Sequence, residues 1–289
     1  MNTEAEDSWL YVISSKRKLI NFNFEEIWRY RDLLILFVKR DIVTVYKQTI
    51  LGPLWYIIQP LFTSVIFTLI FNKLGQIQTN GIDPFLFNLA GVTAWNYFKE
   101  CLTGTSNTFT SNQNIFGKVY FPRIILPLSI TISNLLKFGI QLLIFFGFWL
   151  YYYSQGMNLS INSGYILLFP IYVIMMGMLG LGLGMIISSM TTKYRDLTIL
   201  VGFAVQLLMF LSAVPYPVSE AKAKFSKNIA LFVEFNPLTQ IIEGFRFMLL
   251  NTGSFTWFGF FYTLAVCIIL FLVGLLIFNR TEKTFIDTV

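Results

Sequence analysis

The chain has 289 residues, 55% of them hydrophobic, 18% aromatic and only 12% charged, where a soluble domain carries about 25% charged residues. Together with a mean hydropathy of +0.65, this excludes an ordinary soluble globule and describes a membrane protein that crosses the bilayer several times. The formal net charge of +6 fits the excess of Lys and Arg on cytoplasmic loops; nucleic acid is not expected as a partner, because no soluble basic domain remains to carry it.

The first residues, MNTEAEDSWLYVISSKRKL, begin acidic and stay mixed. A cleavable leader would start basic and turn apolar, so residues 1–24 read as a cytoplasmic N-terminal extension. Residues 25–51 follow as an amphipathic helix lying in the membrane interface. At 100° per residue, Arg29, Asp32, Lys39, Arg40 and Lys47 share about a third of the wheel or less, and Leu33, Leu34, Phe37 and Val38 take much of the other side. Arg31 and Asp41 interrupt that pattern. The run LLILFV is too short to cross a bilayer, but such a helix can lie along one.

Gly52-Pro53 then ends the segment. Proline is suited to a first helical turn and glycine before it allows a change of direction. The pair reads as a corner between a helix on the membrane and one through it. Beyond it, six stretches are apolar enough to span at about 20 residues each: 54–73, 84–102, 125–153, 164–190, 197–214 and 256–278. The second is the weakest, because AGVTAWNYFKE is only moderately apolar. The expected fold class is therefore an all-α integral membrane protein of six spans, with a spanning domain at 52–279 and a cytoplasmic tail at 280–289.

Most Lys and Arg fall on the cytoplasmic side of this arrangement, and the outer loops 74–83 and 154–163 contain none. Segment 215–255 is the exception, with Lys222, Lys224, Lys227 and Arg246. IALFVEF and LTQIIEGFRFMLL are each too short to span and are separated by Asn236-Pro237, where a helix should end. They read as two re-entrant or interfacial outer helices. Both termini are then expected in the cytoplasm.

Several chemistries lack their residues. There is no histidine, and the carboxylates lie in loops or at span edges, whereas ion-coupled transporters usually carry ionisable groups deep in the bilayer. No G-x-x-x-x-G-K-[ST] phosphate loop is present, so any ATP-driven work needs another subunit. No catalytic or metal-binding cluster is expected. Cys101 and Cys267 read as small buried hydrophobes.

Two spans carry polar stripes. In the first, Trp55, Gln59 and Phe62 share a face with Thr63 beside it. Rings stack on sugar faces while amides and hydroxyls pair with sugar hydroxyls, although the same residues would serve as an interfacial belt and as packing. In the third, Asn134, Lys137 and Gln141 recur at helical spacing. Lys137 either faces a wet channel or snorkels to the headgroups. In the fourth, the glycines of GMLGLGLGM read as close helix packing.

KRDIVTVYKQTILGPLWYIIQPL, NIFGKVYFPRIILPLS, NPLTQIIEGFR and the ending FNRTEKTFIDTV, in that order, resemble ABC-2 type permeases that export polysaccharides such as O-antigen, capsule or teichoic acid. The N-terminal extension is longer than in the shortest members. The resemblance implies a homodimer in the bacterial cytoplasmic membrane, paired with two cytoplasmic ATPase subunits that hold ATP and magnesium, with no cofactor in this chain. It implies lipid-linked polysaccharide as substrate. The helix carrying Arg29, Lys39, Arg40, Asp41, Tyr46 and Lys47 would gate the cytoplasmic side and turn at Gly52 and Pro53. Asn114, Lys118, Tyr120, Phe121, Pro122 and Arg123 would dock the ATPase, a stretch that otherwise reads as a basic loop at the headgroups. Asn236, Pro237, Glu243 and Arg246 would belong to an outer gate. A permease for a small hydrophobic compound, or a channel or secondary transporter, remains the alternative on the sequence.

Overall fold

The computed structural model describes residues 24–47, 51–112, 121–194 and 196–285. The predicted docking residues Asn114, Lys118 and Tyr120 lie outside these, as does the side chain of Tyr46. Every regular element among the described residues is helical. In chain order they are α1 (Phe24–Arg29), α2 (Arg31–Lys47), a 3-10 turn (Gly52–Leu54), α3 (Trp55–Phe67) running into a π-helical segment (Thr68–Leu74), α4 (Pro84–Ser106), α5 (Thr108–Ser111) and α6 (Ile125–Ser154). After a second 3-10 turn come α7 (Phe169–Thr191), α8 (Leu197–Leu211), α9 (Val218–Lys224), α10 (Lys227–Phe235), α11 (Pro237–Leu250) and α12 (Trp257–Phe285).

Four helical stretches are long and apolar enough to cross a membrane: Gly52–Leu74, Ile125–Ser154, Ile166–Thr191 and Trp257–Glu282. The other two expected spans behave differently. Helix α4 is long enough, but every residue from Leu86 to Phe98 is buried, enclosed by α3, α6, α7, α8 and α11. A helix surrounded by protein has no need of a lipid-compatible surface, which accounts for the Asn88, Thr93 and Asn96 that lowered its hydropathy. Helix α8 stops at Leu211 and not at the expected 214; its 15 residues reach about 22 Å, short of a hydrocarbon core of about 30 Å.

The reason α8 stops lies in the segment that follows. Ala213 takes a left-handed backbone, φ 51°, and the carbonyls exposed by the turn are collected by two side chains. Asn236 donates its amide to the Leu211 carbonyl and the Ser212 hydroxyl, both at 3.1 Å. Arg246 donates to the carbonyls of Ala213 at 2.9 Å and of Val214. These bonds supply the orphan carbonyls of a helix end. Segment 215–255 holds three short helices, one more than expected: α9 begins after the extended Pro217, and VSEAKAK has no apolar period to announce it.

Glycines set the closest approaches. A Cβ on Gly180 would stand 2.8 Å from that of Cys101, and one on Gly184 would stand 2.6 Å from that of Thr105, both on α4. On the other face of α7, Gly182 faces the α12 backbone at Leu270 and Phe271, at 2.8 Å, and Gly274 faces Gly182. Where lipid tails are as apolar as side chains, this backbone proximity is what favours helix association. A separate cluster of Phe37, Phe109, Phe121, Ile125, Leu126, Met185 and Phe278 joins α2 to the ends of α6, α7 and α12.

Candidate functional site

Gly52 adopts φ 46°, a left-handed value that costs a side-chain-bearing residue about 1–2 kcal/mol, and Pro53 stands in the first turn of the 3-10 helix. From there α3 runs through Pro60, whose missing N–H leaves a gap in the helical ladder. The hydroxyls of Thr63 and Ser64 bond back to the carbonyls of Gln59 and Pro60 at 2.9 and 2.7 Å. At the far end Asn88 of α4 donates to Thr68 at 3.1 Å and to Asn72 at 2.8 Å. It clamps the π-helical segment.

Between α3, α4 and α6 lies a cleft of about 100 Å³. Its walls include Trp55 and Gln59 from α3 and Asn134, Lys137 and Gln141 from α6, so five of the seven residues singled out in the polar stripes come together. Phe62 and Thr63 do not. Phe62 is 66% exposed on the outside of α3, and Thr63 spends its hydroxyl on its own helix. The remaining walls come from Tyr56, Phe138 and, on α4, Asn96, Tyr97 and Glu100. The sequence did carry a signal for the α4 residues: Asn96 and Glu100, four apart and so on one helix face, are among the groups that make α4 the least apolar span.

The polar groups in this cleft are unequally satisfied. Glu100 is paired with Lys99 at 3.3 Å. Lys137 forms no ion pair among the described residues; its Nζ lies 5.2 Å from the centre of the Tyr56 ring, within cation–π range. The carbonyl oxygen of Gln141, a side chain 8% exposed, has no hydrogen-bond partner among the described residues. Lys137 thus stands level with the first full turn of span one, and the part of α6 before it, about 18 Å of helix from Ile125, runs beside α2.

Arg29 at the end of α1, and Lys39 and Lys47 on α2, are exposed. Arg40 bonds Asp41 at 2.8 Å and lies 4.8 Å over the Phe37 ring, so Asp41, an exception to the charged face, is neutralised by its neighbour. The helix also breaks once, at Tyr30. Its outer face is not purely polar: Trp28, Ile35 and Leu36 are exposed among the charges.

Two predicted docking residues prove to be internal. Phe121 is 4% exposed and packs on Phe37, ring centres 5.7 Å apart. Arg123 is 5% exposed, donates to the Glu282 carbonyl at 3.0 Å and faces its carboxylate at 3.8 Å. Burial pulls its guanidinium below the ordinary arginine value, and the Glu282 charge offsets this. Pro122 is partly buried.

The predicted outer-gate residues form a buried tie. Asn236 also accepts from Leu238 N–H at 3.0 Å, capping α11, with Pro237 in its first turn. Arg246 has no exposed surface. Besides the carbonyls after α8, it faces Glu243 at 3.5 Å and stacks on Phe87 at 3.7 Å. Glu243 accepts in turn from the Ser254 backbone at 3.1 Å.

Comparison with known proteins agrees with this architecture. The family model described as ABC-2 type transporter matches residues 32–250. An O-antigen export system permease protein RfbA of Klebsiella pneumoniae is 28% identical over 257 residues, 89% of this chain and 94% of that protein. A protein of the same description from Myxococcus xanthus is 25% identical over 223 residues, 76% of this chain and 81% of its own. An integral membrane protein by its apolar helices and similar to O-antigen export permeases over most of its length, the chain belongs to the ABC-2 type transporter family.

Proposed function

We propose that the chain is the membrane subunit of an ATP-driven exporter that moves lipid-linked polysaccharide across the bacterial cytoplasmic membrane. The observation that carries this reading is the similarity, over 94% and 81% of their lengths, to proteins named as O-antigen export permeases. The cleft supports it chemically: Trp55, Tyr56 and Tyr97 offer rings, and Gln59, Asn96, Asn134 and Gln141 offer amides, the combination that suits a sugar chain.

In this reading α4, enclosed by protein, and α8, lengthened by the buried turn at 212–214, complete six spans with both termini in the cytoplasm, and two copies form the conduit. ATP and magnesium are held by two partner subunits. Helix α2, fixed by Phe37 against Phe121, gates the cytoplasmic side, while docking falls to the residues that precede Phe121. Deletion of the gene tests the reading: one surface polysaccharide should disappear, its lipid-linked precursor should accumulate inside, and a plasmid copy should restore export. An unchanged surface with altered drug resistance would contradict it and favour a small hydrophobic substrate.

A further inference from the structure

Among the described residues, Lys137 is the only cation lining the cleft. The other charge there, Glu100, is compensated by Lys99 at 3.3 Å. Lys137 forms no ion pair among the described residues and lies 5.2 Å from the centre of the Tyr56 ring. A partly buried ammonium without an anion attracts one, and basic pockets between membrane helices are suited to anionic lipid headgroups.

The height of the group narrows the choice. Lys137 is level with Tyr56, next to Trp55 and four residues after Gly52, where span one begins. Tryptophan at the end of a span marks the headgroup layer. Trp55 itself is 50% exposed, as a ring in that layer is expected to be. An anion held beside it lies at the depth of a lipid headgroup.

We infer that the cleft holds a phosphate group carried by a lipid, with Lys137 as its counter-ion and the amides of Asn134 and Gln59 as flanking donors. Gln141 adds what a bare phosphate does not use: an unpartnered carbonyl, 8% exposed, able to accept from a hydroxyl or amide next to the phosphate. The phosphate site stands on this geometry; its assignment to the lipid carrier of a glycan rests on the export reading above.

The test uses the full chain in nanodiscs of zwitterionic phosphatidylcholine, titrated with a short polyprenyl diphosphate, the matching polyprenyl alcohol and phosphatidylglycerol. The wild type should bind the diphosphate at least tenfold more tightly than the alcohol. Lys137→Gln should lose about tenfold, as expected for one charge-assisted contact. Lys137→Arg, which keeps the charge, should retain binding. If phosphatidylglycerol binds as tightly and with the same dependence on Lys137, the site accepts any lipid phosphate; if only the diphosphate does, it is a carrier site. Equal affinity of wild type for diphosphate and alcohol, or wild-type affinity in Lys137→Gln, overturns the inference, and the first needs no variant to fold. Gene-dependent surface glycan in the same strain reports separately on export: glycan present with Lys137-independent binding rejects the phosphate site alone, and the reverse rejects the export reading alone.

Discussion

Gly52 shows how a single residue can set the direction of a span. Its φ of 46° belongs to the region where glycine alone is unpenalised, and Pro53 starts the next turn. Replacing both with alanine favours a negative φ and a helix continuing into α3, since alanine is the strongest helix former. We predict that the double variant inserts and still co-purifies with its ATPase but exports little polysaccharide. Surface glycan and complex recovery measured in the same cells decide it: normal export would reduce the corner to a way into the bilayer. Arg246 is the second residue of this kind. Its guanidinium holds the carbonyls after α8, faces Glu243 and covers Phe87, and Gly91 is a glycine because a Cβ there would meet that guanidinium and the Val214 carbonyl. Arg246→Met leaves Glu243 buried without its counter-ion and should cost about 3–5 kcal/mol. Adding Glu243→Gln should recover part of the loss. Thermal unfolding of the detergent-solubilised chain measures both, and a wild-type midpoint for the single variant would show that the tie contributes nothing.

At the level of elements, the strongly apolar spans were legible because lipid demands one composition along a whole helix. Those starting near 54, 125, 164 and 256 appear within about two residues of expectation at that end. What hydropathy could not show is which helix is shielded from lipid. α4 looked weak because it is central: its Asn88 bonds Thr68 and Asn72, and its Asn96 and Glu100 line the cleft. Nor can periodicity distinguish an aromatic that anchors a partner from one that packs at home: Phe121 and Arg123 looked alike in either role until Phe37 and Glu282 were seen against them. The stripe on α6 was readable because Asn134, Lys137 and Gln141 recur at helical spacing; Tyr56 and Phe138 were not, being indistinguishable from other ring residues in the spans. Packing of α7 on α12 gives a test at this scale. Gly182→Val pushes a branched side chain into the α12 backbone at 2.8 Å and should lower the unfolding midpoint markedly, by an overpacking penalty of about 1–3 kcal/mol or more. Gly147→Val, where a Cβ would meet nothing within 4 Å, should be far milder. Equal effects would mean that the contact does not hold the helices together.

For the whole molecule, charge should determine orientation. Cysteine labelling is predicted to reach the neighbourhood of Lys193 only from the cytoplasm and that of Lys224 only from outside; Lys224 reached solely from inside would reverse the placement of α9 to α11. If energy comes from a partner subunit, as proposed above, the chain should be silent alone. With no phosphate-binding loop in its sequence, the purified chain should hydrolyse no ATP, and hydrolysis by it would remove the division of labour. The most direct measurement joins these claims: the chain and its ATPase subunits, reconstituted together in proteoliposomes, with translocation of a lipid-linked polysaccharide followed by its accessibility to a glycan-binding probe on the far side. ATP should move the glycan across only when both proteins are present, and Trp55→Ala with Gln59→Ala should slow that movement while the complex stays intact. Movement without ATP, or with this chain omitted, would contradict the account.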